Sequence, residues 1–190
     1  SKRMIRAFIA VELPQTLRQE VAVLQSDLRA TGADVKWVEP KNLHLTLKFL
    51  GNMEGNQASA LIEALKSPIL GHSAFLMRLE GIGAFPRTTS PRVIWIGITE
   101  GEEPLKKLSA DIEEGCTRLG FPPEERSFSG HLTVGRVRFN DCLAALAKKL
   151  QTVEFRSSAP MTVDRLILLQ STLSPKGSIY TPLAEFSLCS

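Results

Sequence analysis

His44-Leu45-Thr46-Leu47 and His131-Leu132-Thr133-Val134 are the two segments on which the reading of this chain turns. A β-strand sends successive side chains to opposite faces. Each segment therefore fits a strand that grips a core with its Leu and Val residues and shows an imidazole and a hydroxyl on the other side. The surroundings repeat too. A strand over Ile5 to Leu13 precedes the first motif. It is followed by a helix over Gln15 to Ala30, with Pro14 as its first residue, Leu17, Val21, Leu24 and Leu28 on one face, and Gly32 at its end. A strand over Val93 to Ile98 and a helix over Pro104 to Leu119 precede the second. After the first motif come a helix over Ser59 to Leu65, stopped ahead of Pro68, and a strand over Phe75 to Ile82. After the second come a helix over Cys142 to Leu150 and a strand over Met161 to Leu169. One order of elements occurs twice, which indicates an internal duplication. We expect a single domain, 1–190, made of two pseudo-symmetric lobes at about 1–90 and 91–190.

Glycine and proline supply the punctuation. Gly51-Asn52 is expected to break the first His strand, and Gly83 to Pro91 to form a loop. Ser174-Pro175-Lys176-Gly177 has turn chemistry, so Ser178 to Leu183 is expected to return as a hairpin partner.

The 190 residues are 43% hydrophobic and 23% charged, with a formal net charge of +3. That balance suits a globular chain and permits a phosphate-bearing substrate without requiring one. Cys116, Cys142 and Cys189 are odd in number and widely spaced, which suits a reducing compartment better than a disulfide framework or a metal site. No apolar run approaches the ~20 residues that span a bilayer, and Ser1 to Phe8 lacks the apolar region of a signal peptide. The expectation is a cytoplasmic protein without membrane contact.

Two of the three histidines lie in the matched motifs. Brought to one cavity, a neutral imidazole can take a proton while a protonated one gives a proton, because histidine titrates near neutrality. Thr46 and Thr133 can donate to phosphoryl oxygens as these gain charge. The third histidine, in Gly71-His72-Ser73, reads as a solvated loop residue. By strand alternation Phe49 points to the core and Lys48 shares the His44 face, either near a phosphate or in solvent. Phe8 and Trp95 fit burial better than stacking on a base, and Arg87 and Arg92 flank the expected loop, either against a nucleic-acid backbone or as solvated charges.

Both motifs resemble those of the 2H phosphoesterases. More closely, the chain resembles the RNA 2′,3′-cyclic phosphodiesterases, the bacterial and archaeal 2′-5′ RNA ligase family. The resemblance rests on Arg6-Ala7-Phe8-Ile9-Ala10, Asn42 to Gly51 around the first motif, Arg92-Val93-Ile94-Trp95-Ile96-Gly97, His131 to Arg136, and Tyr180-Thr181-Pro182-Leu183. It implies an α+β, bilobal fold with antiparallel sheets lining a central cleft and helices outside. It implies His44 and His131 as catalytic acid and base, Thr46 and Thr133 at the phosphate, and Arg136 at the nucleotide. No metal or cofactor is expected; the partner is RNA with a 2′,3′-cyclic phosphate end, acted on by a monomer. Arg136 stands at an odd offset from His131, so reaching the cleft requires a bulge near Gly135. The residues alone leave open a phosphodiesterase for 2′-5′ oligonucleotides or small cyclic nucleotides, and a non-catalytic module that binds RNA ends.

Overall fold

Strand β1 (Met4–Glu12) buries Ala7, Ile9 and Val11 on one face and Phe8 and Ala10 on the other. Both faces must therefore be covered, and pairing with a strand on either side makes β1 an interior strand. The computed structural model, which describes residues 4–190, places it inside a four-stranded antiparallel sheet ordered β10-β9-β1-β3. The other strands are β3 (His44–Glu54), β9 (Arg165–Ser174) and β10 (Gly177–Ser187). A second antiparallel sheet runs β2-β7-β6-β5. It comprises β2 (Val35–Trp37), β5 (Leu79–Arg87), β6 (Ser90–Ile98) and β7 (His131–Val137). Two short strands, β4 (Phe75–Met77) and β8 (Met161–Val163), pair with each other.

Four helices pack on these sheets: α1 (Gln15–Arg29), α2 (Gly55–Leu70), α3 (Glu102–Arg118) and α4 (Leu143–Leu150). The periodic residues expected of α1 are buried, together with Gln25, and Leu105, Leu108 and Ile112 of α3 are buried likewise. The two repeat halves do not each own a sheet. Strands β2 and β5 from the first half join β6 and β7 of the second, while β9 and β10 cross back to β1 and β3. One continuous apolar core consequently spans the molecule.

Several local expectations give way to packing. Pro14 caps α1 from an extended conformation, one residue before the helix. Pro68 lies inside the last turn of α2, where it removes an N–H; buried Leu65 and Ile69 hold that turn in place. Gly51 does not end β3. It adopts φ +68°, Leu50 becomes the extra residue of a bulge, and the strand continues to Glu54. Residues 83–91 are no loop but the distal part of the β5–β6 hairpin, turning at Thr88-Thr89. Pro86 and Pro91 oppose each other there, so the two residues lacking N–H donors share one place in the ladder. The hairpin expected of β9 and β10 is present. Among the described residues, no helix is long and apolar enough to cross a membrane.

Buried Gln25 ties α1 to the second sheet. Its Nε2 donates to the carbonyls of Val38 (2.8 Å) and Val134 (3.0 Å), and the Val38 N–H also donates to Val134 O at 3.0 Å. Gln25→Leu removes both side-chain donors while keeping an apolar stem. We expect it to lower stability by about 1–3 kcal/mol, the cost of leaving buried polar groups short of partners, as read from the midpoint of denaturant unfolding.

Candidate active site

The histidine strands share one irregularity. In β3 the register with β1 skips a residue between Thr46 and Lys48, leaving Leu47 unpaired. In β7 the register with β6 skips between Thr133 and Gly135, leaving Val134 unpaired. Each bulge falls directly after the motif threonine. Burial follows the same course in both strands: the histidine and threonine half-buried, the next two residues buried, the sixth exposed. The bulge reverses the alternation, so Phe49 and Arg136 come out on the face that carries the histidines.

The result is a cleft of ≈ 1300 Å³, with Phe8, His44 and Thr46 on one side and Phe85, His131 and Thr133 on the other. Phe49 and Arg136 also line it. The expected bulge beside Gly135 is therefore present and brings Arg136 to the cleft. Phe49 is not a core residue; it is 64% exposed and its ring lies against Phe8. Lys48 is neither at the cleft face nor in solvent. It is 3% exposed, and its Nζ donates to Glu113 Oε1 at 3.1 Å and to Pro122 O at 2.9 Å, with Glu124 at 3.5 Å.

Both imidazoles are held in the same way. His44 Nδ1 lies 3.1 Å from Asn42 O, and His131 Nδ1 lies 2.8 Å from Ser129 O. A carbonyl can only accept, so each Nδ1 carries the proton and Nε2 is the free nitrogen. Each ring also sits against two aromatic rings. His44 meets Tyr180 and Phe8 at centroid distances of 5.7 and 6.4 Å, and His131 meets Phe85 and Trp95 at 5.1 and 6.1 Å. Trp95 can occupy its place because it crosses Gly83, where an added Cβ would come within 2.2 Å of the indole.

Burial dominates the electrostatics. Loss of water pushes the pKa of His44 and His131 below the ordinary 6.5, against the opposing pull of the Asn42 and Ser129 carbonyls. Arg18 pushes His44 further down and Glu12 draws it up, whereas Arg136 pushes His131 down.

Other expectations fall outside the cleft wall. Arg87 and Arg92 do not line it. His72 has a partner after all, with Nε2 2.6 Å from Asp111 Oδ2, which links the end of α2 to α3. Strand alternation had no means of finding Phe85 or Tyr180. They arrive from β5 and β10 through pairings between distant segments, although Tyr180, the single tyrosine, stands in a segment that the family resemblance marks.

A duplicated α+β fold with one His-x-Thr strand on each side of a cleft is the arrangement of a 2H phosphoesterase. The chain belongs to the LigT-like phosphoesterase family, which matches it twice, over residues 11–95 and 96–180. The two matches are successive, as a duplicated fold requires. Among curated relatives, the RNA 2′,3′-cyclic phosphodiesterase of Archaeoglobus fulgidus is 40% identical, covering 96% of this chain and 99% of the relative. The enzyme of the same name from Methanothermobacter thermautotrophicus is 38% identical, covering 97% and 99%. The fold is that of E. coli LigT, with a TM-score of 0.81 at 23% identity over 99% of this chain and 100% of that one.

Since desolvation disfavours the imidazolium, a lower pH is needed to protonate either ring. In the free protein His44 and His131 are both expected to titrate with midpoints below 6.5. NMR of the ring carbons through a pH series measures this, and midpoints at or above that value would contradict the burial argument.

Proposed function

We propose that this chain hydrolyses the 2′,3′-cyclic phosphate at the end of RNA, leaving a 2′-phosphate, with His131 as general base and His44 as general acid. The observation that carries the reading is the pair of imidazoles, one on each side of a single cleft, each with Nδ1 committed to a carbonyl and Nε2 free. Water attacks phosphorus as His131 Nε2 takes its proton. The P–O3′ bond breaks, and the electron pair stays on O3′, which receives the proton held on His44 Nε2. The threonine hydroxyls donate to the non-bridging oxygens, where charge accumulates. Glu12 favours the cationic form of His44, but Arg18 opposes it more strongly, so the assignment of acid and base follows the family resemblance and not the charges around the two rings. Arg136 contacts the nucleotide at the reacting end. Both proton transfers are assigned to side chains, so the reaction needs no metal. Joining a cyclic phosphate end to a 5′-hydroxyl is the same path in reverse, by microscopic reversibility.

His44→Ala and His131→Ala are each expected to lower turnover of a cyclic-phosphate RNA by at least ~10²-fold. The double variant should be little worse, because groups acting as a unit are strongly non-additive. Turnover close to wild type in a folded single variant removes that histidine from the mechanism, and RNA binding retained by an inactive wild type would favour a binding module. Chelator should leave the rate unchanged; loss with chelator and recovery with a divalent ion would refute the metal-free path.

Thr46→Val and Thr133→Val keep shape and remove one hydroxyl each. A fall in turnover of about 10- to 10³-fold is expected for either, with the fold intact by circular dichroism. Arg136→Ala should act mainly on KM, and an unchanged KM would return Arg136 to the solvent.

A further inference from the structure

A smaller hollow of ≈ 260 Å³ opens beside the cleft, and Asn42, His44 and Tyr180 belong to the walls of both. The floor of the hollow is apolar, formed by Ile167 and Leu169 of β9, which pack in a separate small cluster with Phe8 and Ala10. Two cations stand on its wall, Arg18 from α1 and Lys41 from the turn before β3. Lys41 is 70% exposed and rests 3.4 Å from Glu39. Arg18 differs from it. Its Nε is buried and makes no hydrogen bond, and no carboxylate pairs with it among the described residues. Buried donors are normally satisfied, so this one lacks an acceptor that the protein itself does not supply. The single carboxylate on the wall, Glu12, lies opposite His44 in the β1–β3 register and acts on that ring.

We propose that this hollow is a second subsite for a phosphodiester, in which Arg18, assisted by Lys41, binds the phosphate one nucleotide upstream of the reacting end. The inference rests on the cyclic phosphodiesterase reading and follows from its geometry. The bond that breaks is to O3′, and His44 protonates that oxygen. The ribose that bears it therefore lies on the His44 side of the phosphorus. From that ribose the RNA has one way to continue, through O5′ to the next phosphate. The hollow that shares His44 as its wall is the space open to that continuation. A guanidinium fork suits the paired oxygens of a phosphodiester, and the apolar floor beside Tyr180 suits the flat face of a base. A mononucleoside 2′,3′-cyclic phosphate has no upstream phosphate and leaves the subsite unused. The chain is thereby built for oligonucleotide ends in preference to free cyclic nucleotides.

The test compares two substrates with one reacting end: a dinucleotide ending in a 2′,3′-cyclic phosphate, and the mononucleoside 2′,3′-cyclic phosphate of the same terminal base. Because kcat/KM refers to the free protein, the change that removing Arg18 makes in the His44 pKa before substrate binds is common to both substrates and cancels in the ratio. The wild type should prefer the dinucleotide. Arg18→Gln should cut that preference by about tenfold or more, the effect of losing a hydrogen-bonded charge, expressed mainly in KM. Arg18→Lys, which keeps the charge without Nε, should recover part of it, and Lys41→Ala should cut it less. Kcat/KM for the dinucleotide should also fall more steeply with salt, by about 0.7 in the log–log slope for one extra single-strand phosphate, and Arg18→Gln should remove the excess. A wild type indifferent to the second nucleotide overturns the subsite, as does an unaltered preference in Arg18→Gln. If the wild type cleaves neither substrate, the cyclic phosphodiesterase reading falls and the subsite with it.

Discussion

A regular strand can offer a cleft only every second side chain, and both histidine strands escape that limit with one extra residue. Without the bulges at Leu47 and Val134, the cleft would receive His, Thr and then Lys48 or Gly135, while Phe49 and Arg136 faced the core. With them, the alternation reverses after the threonine. The hydroxyl stays beside the imidazole and a large side chain follows on the same face. The Val134 carbonyl faces the β2 side, where the Val38 N–H, in register one residue past β2, and Gln25 Nε2 both donate to it. Gln25 thus ties the bulged strand to a helix more than a hundred residues away in the chain.

The same dependence on distant partners holds for the sheets. Each draws strands from both repeat halves, so neither half can close its own hydrogen-bond ladder or cover its own core. The two His strands are thereby fixed relative to one another through a shared interior, which two lobes joined by a linker would not provide. The position after each bulge shows where the duplicated halves diverge. Lys48 reaches from β3 to α3 and the segment after it through Glu113, Glu124 and Pro122. Its counterpart Gly135 has no side chain, and Trp37 and Val35 of β2 pack where a Cβ would stand. On the His131 side β2 thus covers the edge of β7, whereas β3 on the His44 side is the last strand of its sheet and carries an ion-paired lysine at that position.

The apolar period gave the helices and most strands, and the matched tetrapeptides brought both histidines and both threonines to one cleft. What escaped has identifiable physical causes. Strand β2 is three residues long, too short to show a period, and exists because β7 has an open edge. The hairpin β5–β6 was hidden by Gly83, Pro86 and Pro91, residues that argue for a loop unless one knows that the prolines oppose each other and that Trp95 needs the space above Gly83. Phe49 and Lys48 were misplaced together, since a bulge inverts every residue that follows it. The family resemblance points to Arg136, and its odd offset fits the cleft only through a bulge; the same question asked of Phe49 brings that residue to the cleft too.

The tautomer and the burial of the two imidazoles act in opposite directions on the proposed reaction. The carbonyls of Asn42 and Ser129 fix Nδ1–H, orient the rings and favour the cation, while the aromatic walls exclude water and disfavour it. Desolvation is the larger effect, so both rings tend to be neutral before substrate arrives. A neutral His131 is already in the form a base requires. His44 must gain a proton to act as an acid, and three features of the site bear on when it does. Glu12 favours the cation at His44, Arg18 opposes it, and an incoming phosphate anion favours it. If an upstream phosphate engages Arg18, it also screens the guanidinium that holds the His44 pKa down. Binding of the longer substrate and protonation of the acid then favour each other, so substrate recognition in the hollow and the chemistry in the cleft meet at one imidazole.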